Sequence, residues 1–125
     1  MPLTTQERIV RERSTALYGA VIQDETGEVI PASTLTTLTL TLYDLATAAV
    51  INSRSSQNVL NANNVTVSSG GVLVWTMQAA DNNIIGRTPI DSYENHRALF
   101  EWTWSSGARA GSHEVIIEVL NIGKA

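Results

Sequence analysis

The sequence predicts an all-β protein, an antiparallel sandwich of about seven to nine short strands. The first observation is the stretch LTTLTLTLYD at residues 35–44, where leucine alternates with threonine in the period of two that a half-buried strand shows. The second is the return of that period in three later stretches, and the third is the turn chemistry between them. A strand that buries alternate residues needs an apolar partner, so the chain must supply a second layer or borrow one from another protein.

The three later stretches that repeat the alternation are GGVLVWTM, RALFEWTW and HEVIIEVL. Their predicted inward faces are, in chain order, Leu73, Trp75 and Met77; Ala98, Phe100, Trp102 and Trp104; and Val115, Ile117 and Val119. Large apolar and aromatic side chains dominate these faces. We therefore predict that the faces close over one another within this chain and form its core.

Turn residues separate the strands. The predicted turns lie at residues 24–27, 69–71 and 105–111, together with a turn at residues 44–48 that contains no glycine. Two stretches are predicted to be irregular. Residues 54–64 are a candidate for one helical turn, and residues 78–95 have a length typical of a functional loop or of a loop packed against another element.

Composition excludes several classes of protein. At 125 residues the chain has the length of one ordinary domain. A net charge of −4 and a pI near 5.0 have the wrong sign for binding phosphate backbones, so we expect no nucleic-acid partner. The chain has no cysteine, so disulfides and thiolate metal sites do not hold the fold. No apolar run has the length of a signal peptide or a membrane span, so we expect a protein made in a cytoplasm with no membrane partner.

The first fourteen residues differ from the rest, because Arg8, Arg11 and Arg13 cluster there beside the apolar pair Ile9 and Val10. So short a stretch cannot build a core, and we predict that residues 1–14 are a frayed tail or an arm that lies on another subunit. Residues 15–125 are predicted to form the sandwich domain and to fold without the arm.

Arginine dominates the cationic side chains, since Lys124 is the one lysine among eight lysine and arginine residues. This bias suits planar, multi-donor contacts with carboxylates at protein interfaces. The residues predicted to contact partner proteins are Arg8, Ile9, Val10, Arg11, Arg13, Arg54, Arg87, Tyr93 and Arg109.

Catalytic and metal-binding chemistry has few candidates. The two histidines, His96 and His113, lack the spacing of a metal motif and are predicted to be ordinary surface or interface residues. An enzyme would need a cleft that gathers His96 with Glu94 and Asp91, and no motif predicts such a cleft. We therefore expect no enzymatic activity, no catalytic or metal-ligating residue and no cofactor.

Trp102 and Trp104 have two interpretations. Two tryptophans on one strand face can form a flat platform for sugar rings, which is the arrangement of a carbohydrate-binding module. Ala98 and Phe100 share that face, and such a row is more typical of a sandwich core. The core interpretation is favoured, and a carbohydrate-binding module stays open as an alternative function.

Three stretches of the chain carry a resemblance to a known group of proteins: YGAVIQDETGEVIPAS, LTLTLYDLATAAVINSRSSQNVLNANNVTVSSGGVLVWTMQAADN and HRALFEWTWSSGARAGSHEVIIEVLNI. The features, in chain order, are a Leu/Thr strand ending in Tyr43 and Asp44, a Leu73-x-Trp75 strand leading to Asp81, a Phe100-x-Trp102 strand and a closing strand. Over residues 18–122 this order resembles the small immunoglobulin-like proteins that tailed bacteriophages and prophages encode.

The resemblance implies an immunoglobulin-like sandwich without the cysteine pair of antibody domains. It also implies a structural virion protein that covers, bridges or extends other virion proteins. The expected partner is the major capsid protein, contacted by a decoration or cement protein on the capsid exterior, and portal, neck or tail proteins are the alternative partners. Several copies or a homo-oligomer are expected in the virion, after synthesis in the cytoplasm of the bacterial host.

Overall fold

Eight strands form two sheets in the computed structural model, which describes residues 6–85, 93–104 and 109–120. The strands are β1 (Gln6–Arg11), β2 (Ala16–Val21), β3 (Leu35–Asp44), β4 (Gln57–Asn58), β5 (Val65–Val67), β6 (Val72–Met77), β7 (Tyr93–Trp104) and β8 (Arg109–Leu120). Two short 3₁₀ helices lie at Ala32–Thr34 and Ala79–Asn82. The part of the chain described by these ranges contains no helix with the length and hydropathy needed to cross a membrane.

The larger sheet has the strand order β1-β8-β7-β3-β4, and the smaller sheet has the order β2-β6-β5. The predicted all-β sandwich and its predicted number of strands are therefore confirmed. One pairing differs from the prediction of a fully antiparallel fold, because β1 runs parallel to β8. A parallel neighbour is available here because β1 and β8 are joined through the rest of the chain and not by a hairpin.

The alternating residues form the core, as predicted. Leu38, Leu40 and Leu42 of β3 are fully buried, while the threonines between them face outward. The two sheets meet where Trp75 of β6 packs edge-on against Phe100 of β7, with ring centroids 5.7 Å apart and ring planes at 78°. This geometry is favourable for aromatic pairs and joins the inner faces of the two layers.

Residues 6–11 are part of the sheet, which corrects the prediction of a separate arm at residues 1–14; residues 1–5 of that arm lie outside the described residues. Residues 6–11 pair with β8 along their whole length, and Val10 belongs to the core with 5% of its surface exposed. The connection to β2 is also bonded, since the Arg13 N–H donates to the Asn82 carbonyl at 2.9 Å. A short strand needs no core of its own when it completes the edge of an existing sheet, so the domain includes residues 6–14.

The predicted turns at residues 24–27, 44–48 and 69–71 are present. Gly71 has a φ of 75°, and a Cβ there would lie 2.3 Å from Val29, so this position requires glycine. Ala48 closes the glycine-free turn with a φ of 63°. Residues 105–108 of the fourth predicted turn lie outside the described residues, and residues 109–111 begin β8.

Residues 54–64 form an irregular loop around β4, which corrects the prediction of a helical turn. Four residues of this loop have left-handed backbone conformations with φ between 46° and 75°: Ser56, Asn61, Asn63 and Asn64. Asparagine tolerates this region because its short amide can bond to the nearby backbone. Isolated left-handed residues interrupt a right-handed helix, so the asparagine-rich stretch favours a folded loop.

Candidate functional site

An exposed apolar surface lies on the outer side of the smaller sheet. Leu17, Val21 and Val72 are 61%, 49% and 42% exposed, although each sits in a regular strand. The register pairs Val21 with Val72 and Leu17 with Thr76, so these side chains share one face. We call this surface the docking face and define it by Leu17, Gly19, Val21, Val72, Val74 and Thr76, none of which is charged.

A contiguous apolar surface on a folded protein commonly marks a place where another macromolecule binds. The strand β2, which contributes Leu17, Gly19 and Val21 to the docking face, is also an edge strand of the smaller sheet. An edge strand offers backbone N–H and C=O groups that a strand of another chain can pair with. Both features favour a protein partner for this side of the molecule.

Arg54 lies in the interior, which corrects its prediction as an interface residue. Its side chain is 2% exposed and forms a two-pronged ion pair with Asp81, with Nε donating to Oδ1 at 2.6 Å and Nη2 donating to Oδ2 at 3.0 Å. The guanidinium carbon also lies 5.8 Å from the ring centroid of Trp75. The planar fork of arginine matches a carboxylate in this geometry.

The Arg54 guanidinium connects several loops to the core. Its remaining N–H groups donate to the Gln57 side chain at 2.8 Å, the Asn63 carbonyl at 3.1 Å and the Asn64 side chain at 3.1 Å. Asp81 in turn accepts hydrogen bonds from the Asn52 side chain and the Gln78 backbone N–H, both at 2.8 Å. The network therefore satisfies a buried charge pair and holds the loop of residues 52–64 in place.

A second buried polar cluster lies at the end of β3 and the start of β7. Asp44, Glu94 and His96 are 3%, 8% and 0% exposed, and their candidate ligand atoms all lie within 4.8 Å of one another. His96 Nε2 and Glu94 Oε1 are hydrogen-bonded at 2.5 Å. The prediction that His96 is an ordinary surface or interface residue is therefore wrong, whereas Asp91 lies outside the described residues.

The other histidine, His113, is half-buried against Tyr18 on the opposite sheet. The Tyr18 hydroxyl lies 2.5 Å from His113 Nε2, and the two rings stack with centroids 5.9 Å apart. Burial raises the pKa of Tyr18 to about 12 and lowers the pKa of His113 below its ordinary value. Both shifts favour a neutral phenol beside a neutral imidazole, so this contact acts as a polar bridge between the sheets.

Trp102 and Trp104 do not form a two-ring platform. Trp102 is 4% exposed and belongs to the core, and Gly111 packs so closely on its indole that a Cβ there would lie 2.8 Å from Nε1. Trp104 is half-buried and lines a pocket of about 230 Å³ together with Asp24 and Arg109. The core interpretation is confirmed for Trp102, and Trp104 lies at the margin of the core.

The pocket beside Trp104 is charged on one side. The Arg109 guanidinium lies 5.6 Å from the Trp104 ring centroid and forms an ion pair with Glu25. The Thr26 hydroxyl holds the pKa of Asp24 below its ordinary value, with backbone N–H donors and the Arg109 charge adding to the effect. The pocket therefore presents a cation above an indole ring, next to two carboxylates.

The remaining predicted interface residues fall in different places. Ile9 and Tyr93 are 59% and 54% exposed, and Arg11 is also exposed. Arg11 and Tyr93 lie on either side of β8, because both pair with Leu120. Arg13 is exposed beyond the end of β1. Val10 and Arg54 are buried, and Arg109 lies at the opposite end of β8. The backbone of Arg8 lies in β1, and Arg87 is outside the described residues.

No protein-family model matches the chain, and a search of curated proteins returned no significant match. The fold places the protein in the class of two-layer β-sandwiches, with one parallel strand pair in the larger sheet.

Neither the docking face nor the cluster of Asp44, Glu94 and His96 was predicted as a site, although the sequence contains a pattern that indicates each. In ALYGAV the outward positions Leu17 and Val21 are apolar, which an ordinary solvated sheet face does not require. Glu94 and His96 are in phase with the buried residues Ala98 and Phe100. Extending the alternation of β7 backward from Ala98 to His96 and Glu94 would have placed both polar side chains inside the sandwich.

Proposed function

We propose that the protein is a structural, non-enzymatic component of a tailed-bacteriophage virion that acts by docking on another virion protein. The first candidate partner is the major capsid protein, which the sandwich would cover from outside as a decoration protein. A position at the neck or tail is the alternative within the same class. The resemblance of residues 18–122 to immunoglobulin-like phage proteins supports the class.

The observation that carries the proposal is the docking face. Leu17, Val21 and Val72 expose apolar surface on a regular sheet, so a partner can cover them without any refolding of this chain. Docking of a preformed surface avoids the entropy cost of ordering a flexible segment. Many copies that each bind through a modest surface can together stabilise a large assembly.

The buried charge network supports the same function. Arg54 and Asp81 hold the loop of residues 52–64 against the core, so that side of the sandwich is also preorganised. A protein that acts through its shape benefits from rigid loops, because each immobilised side chain then costs nothing further when a partner binds.

A charge placed on the docking face tests the proposal. We expect Leu17→Lys and Val72→Lys to bind assembled particles at least about tenfold more weakly than the unaltered protein, because a lysine cannot be buried unpaired at an interface. The measurement is cosedimentation with particles that lack the protein, and electron microscopy of intact particles locates it on capsid, neck or tail.

The matched control is Val50→Lys, which places the same charge on a 46% exposed valine beside β3 and off the docking face. Circular dichroism verifies that all three variants are folded. Unchanged particle binding by both docking-face variants would exclude the docking face, and absence of the protein from intact virions would exclude the virion function.

The pocket at Trp104 favours a second candidate function, binding of a carbohydrate. The half-buried indole lies beside polar groups of Asp24 and Arg109, which is a composition that sugar sites use. Two observations count against it: Trp102 is not available as a second ring, and the Arg109 guanidinium already covers the ring of Trp104.

Tryptophan fluorescence tests the carbohydrate function. If the pocket binds sugars, oligosaccharides should change the emission of the protein, and Trp104→Phe should abolish that change. The expected result under the docking proposal is emission that stays constant across a panel of host-surface oligosaccharides. A saturable change that persists in Trp104→Phe would indicate a sugar site elsewhere.

A further inference from the structure

The cluster of Asp44, Glu94 and His96 lies on the inner face of the larger sheet, where β3 ends and β7 begins. Asp44 and His96 are direct cross-strand partners, and Glu94 lies two residues before His96 on the same face. Directly paired residues and residues two apart on one strand project side by side. Three side chains that commonly bind metal ions therefore converge within 4.8 Å in the interior of the sandwich.

The imidazole of His96 points to a ligand. His96 is fully buried, and while Nε2 bonds to Glu94, Nδ1 has no hydrogen-bond partner among the described residues. A buried ring nitrogen without a partner is costly, so native proteins normally satisfy such an atom. A cation coordinated through Nδ1 would satisfy this atom.

The two carboxylates are oriented by donors outside the cluster. Asp44 Oδ2 accepts from the Thr47 hydroxyl at 2.6 Å and from the Thr47 N–H at 3.2 Å. Glu94 Oε1 accepts from the Ile85 N–H at 3.0 Å. Outer hydrogen bonds of this kind fix the direction of ligating groups in metal sites.

We propose that Asp44, Glu94 and His96 bind one divalent transition-metal ion, of the class of Zn²⁺ or Mn²⁺. Two carboxylates and one imidazole are a donor set that suits these ions, whereas Ca²⁺ prefers ligands made of oxygen alone. The positive charge would also offset the repulsion between two carboxylates that are close together in the interior. The ion would tie the end of β3 to the start of β7 and stabilise the sandwich.

The first test uses the unaltered, untagged protein after dialysis against a chelator. Titration calorimetry with ZnCl₂ and with MnCl₂ should detect one ion per chain, and the bound ion should raise the melting temperature. The chain has two histidines, so a long-range ¹⁵N–¹H spectrum can follow each ring. On addition of Zn²⁺ the ring nitrogens of His96 should shift, while those of His113 stay in place.

Variants assign the site. We expect Asp44→Asn and His96→Gln to bind the ion at least about tenfold more weakly, because each removes a ligand. The control, His113→Gln, alters the histidine outside the cluster and should bind as the unaltered protein does. Absence of Zn²⁺ and Mn²⁺ binding, or Zn²⁺-induced shifts confined to His113, would overturn the proposal. The spectrum of the unaltered protein decides the outcome even if a variant fails to fold.

Discussion

Replacement of Arg54 by alanine should lower the free energy of unfolding by about 3–5 kcal/mol, the usual cost of breaking a buried ion pair from one side. Asp81 is fully buried and would lose the guanidinium that now bonds both of its oxygens. The loop of residues 52–64 would lose its anchor at the same time. Urea denaturation followed by circular dichroism measures the change, and the melting temperature should fall by roughly 10–20 °C.

Two further variants show whether the geometry of the pair matters. Arg54→Lys keeps the charge but not the two-pronged contact, so we expect an intermediate loss of stability. Glu25→Gln removes the ion pair with Arg109, in which both side chains are 50% exposed, and should cost less than about 1 kcal/mol. A stability of Arg54→Ala equal to that of Glu25→Gln would contradict the role of the buried pair.

Removal of residues 1–11 should also destabilise the isolated domain, by about 2–4 kcal/mol, and should promote self-association. The truncation loses the burial of Val10, which alone contributes about 1.5–3 kcal/mol. It also exposes the edge of β8, because β1 pairs with that strand along its whole length. An unpaired edge strand is a template for aggregation. Thermal denaturation and light scattering at several protein concentrations measure the two effects.

The adjacent residues of β1 offer a matched pair of controls. Val10→Ser should reproduce much of the loss of stability, because Val10 is 5% exposed. Ile9→Ser should leave stability nearly unchanged, because Ile9 is 59% exposed on the other face of the same strand. Should the truncated protein melt at the same temperature as the full chain, residues 6–11 would belong to the separable arm of residues 1–14 that the sequence predicts.

The core strands could be predicted because their pattern is local. From Leu38 to Leu42 of β3, leucine occupies each buried position and threonine each position between them, so the period of two identifies both the strand and its inner face. The same holds for Phe100 and Trp102 in β7. Turn residues such as Gly27, which has a φ of 89°, are likewise recognisable from their own conformational preferences.

The polar interior could not be predicted in the same way. Arg54 in a loop is normally a surface residue, and its burial depends on Asp81, which is distant in the sequence. Asp44 and His96 become neighbours through the register of β3 and β7. A strand of six residues such as β1 has too weak a local pattern to reveal its parallel partner.

The sequence by itself determined the all-β class, the main core rows and most of the turns, because alternation and turn preference depend on residues that are close in the chain. The tertiary structure alone decided that β1 completes the larger sheet, that Arg54 is internal, and that Asp44, Glu94 and His96 meet. The physical reason is that strand order and register set these contacts, and both depend on packing between segments that are far apart in sequence.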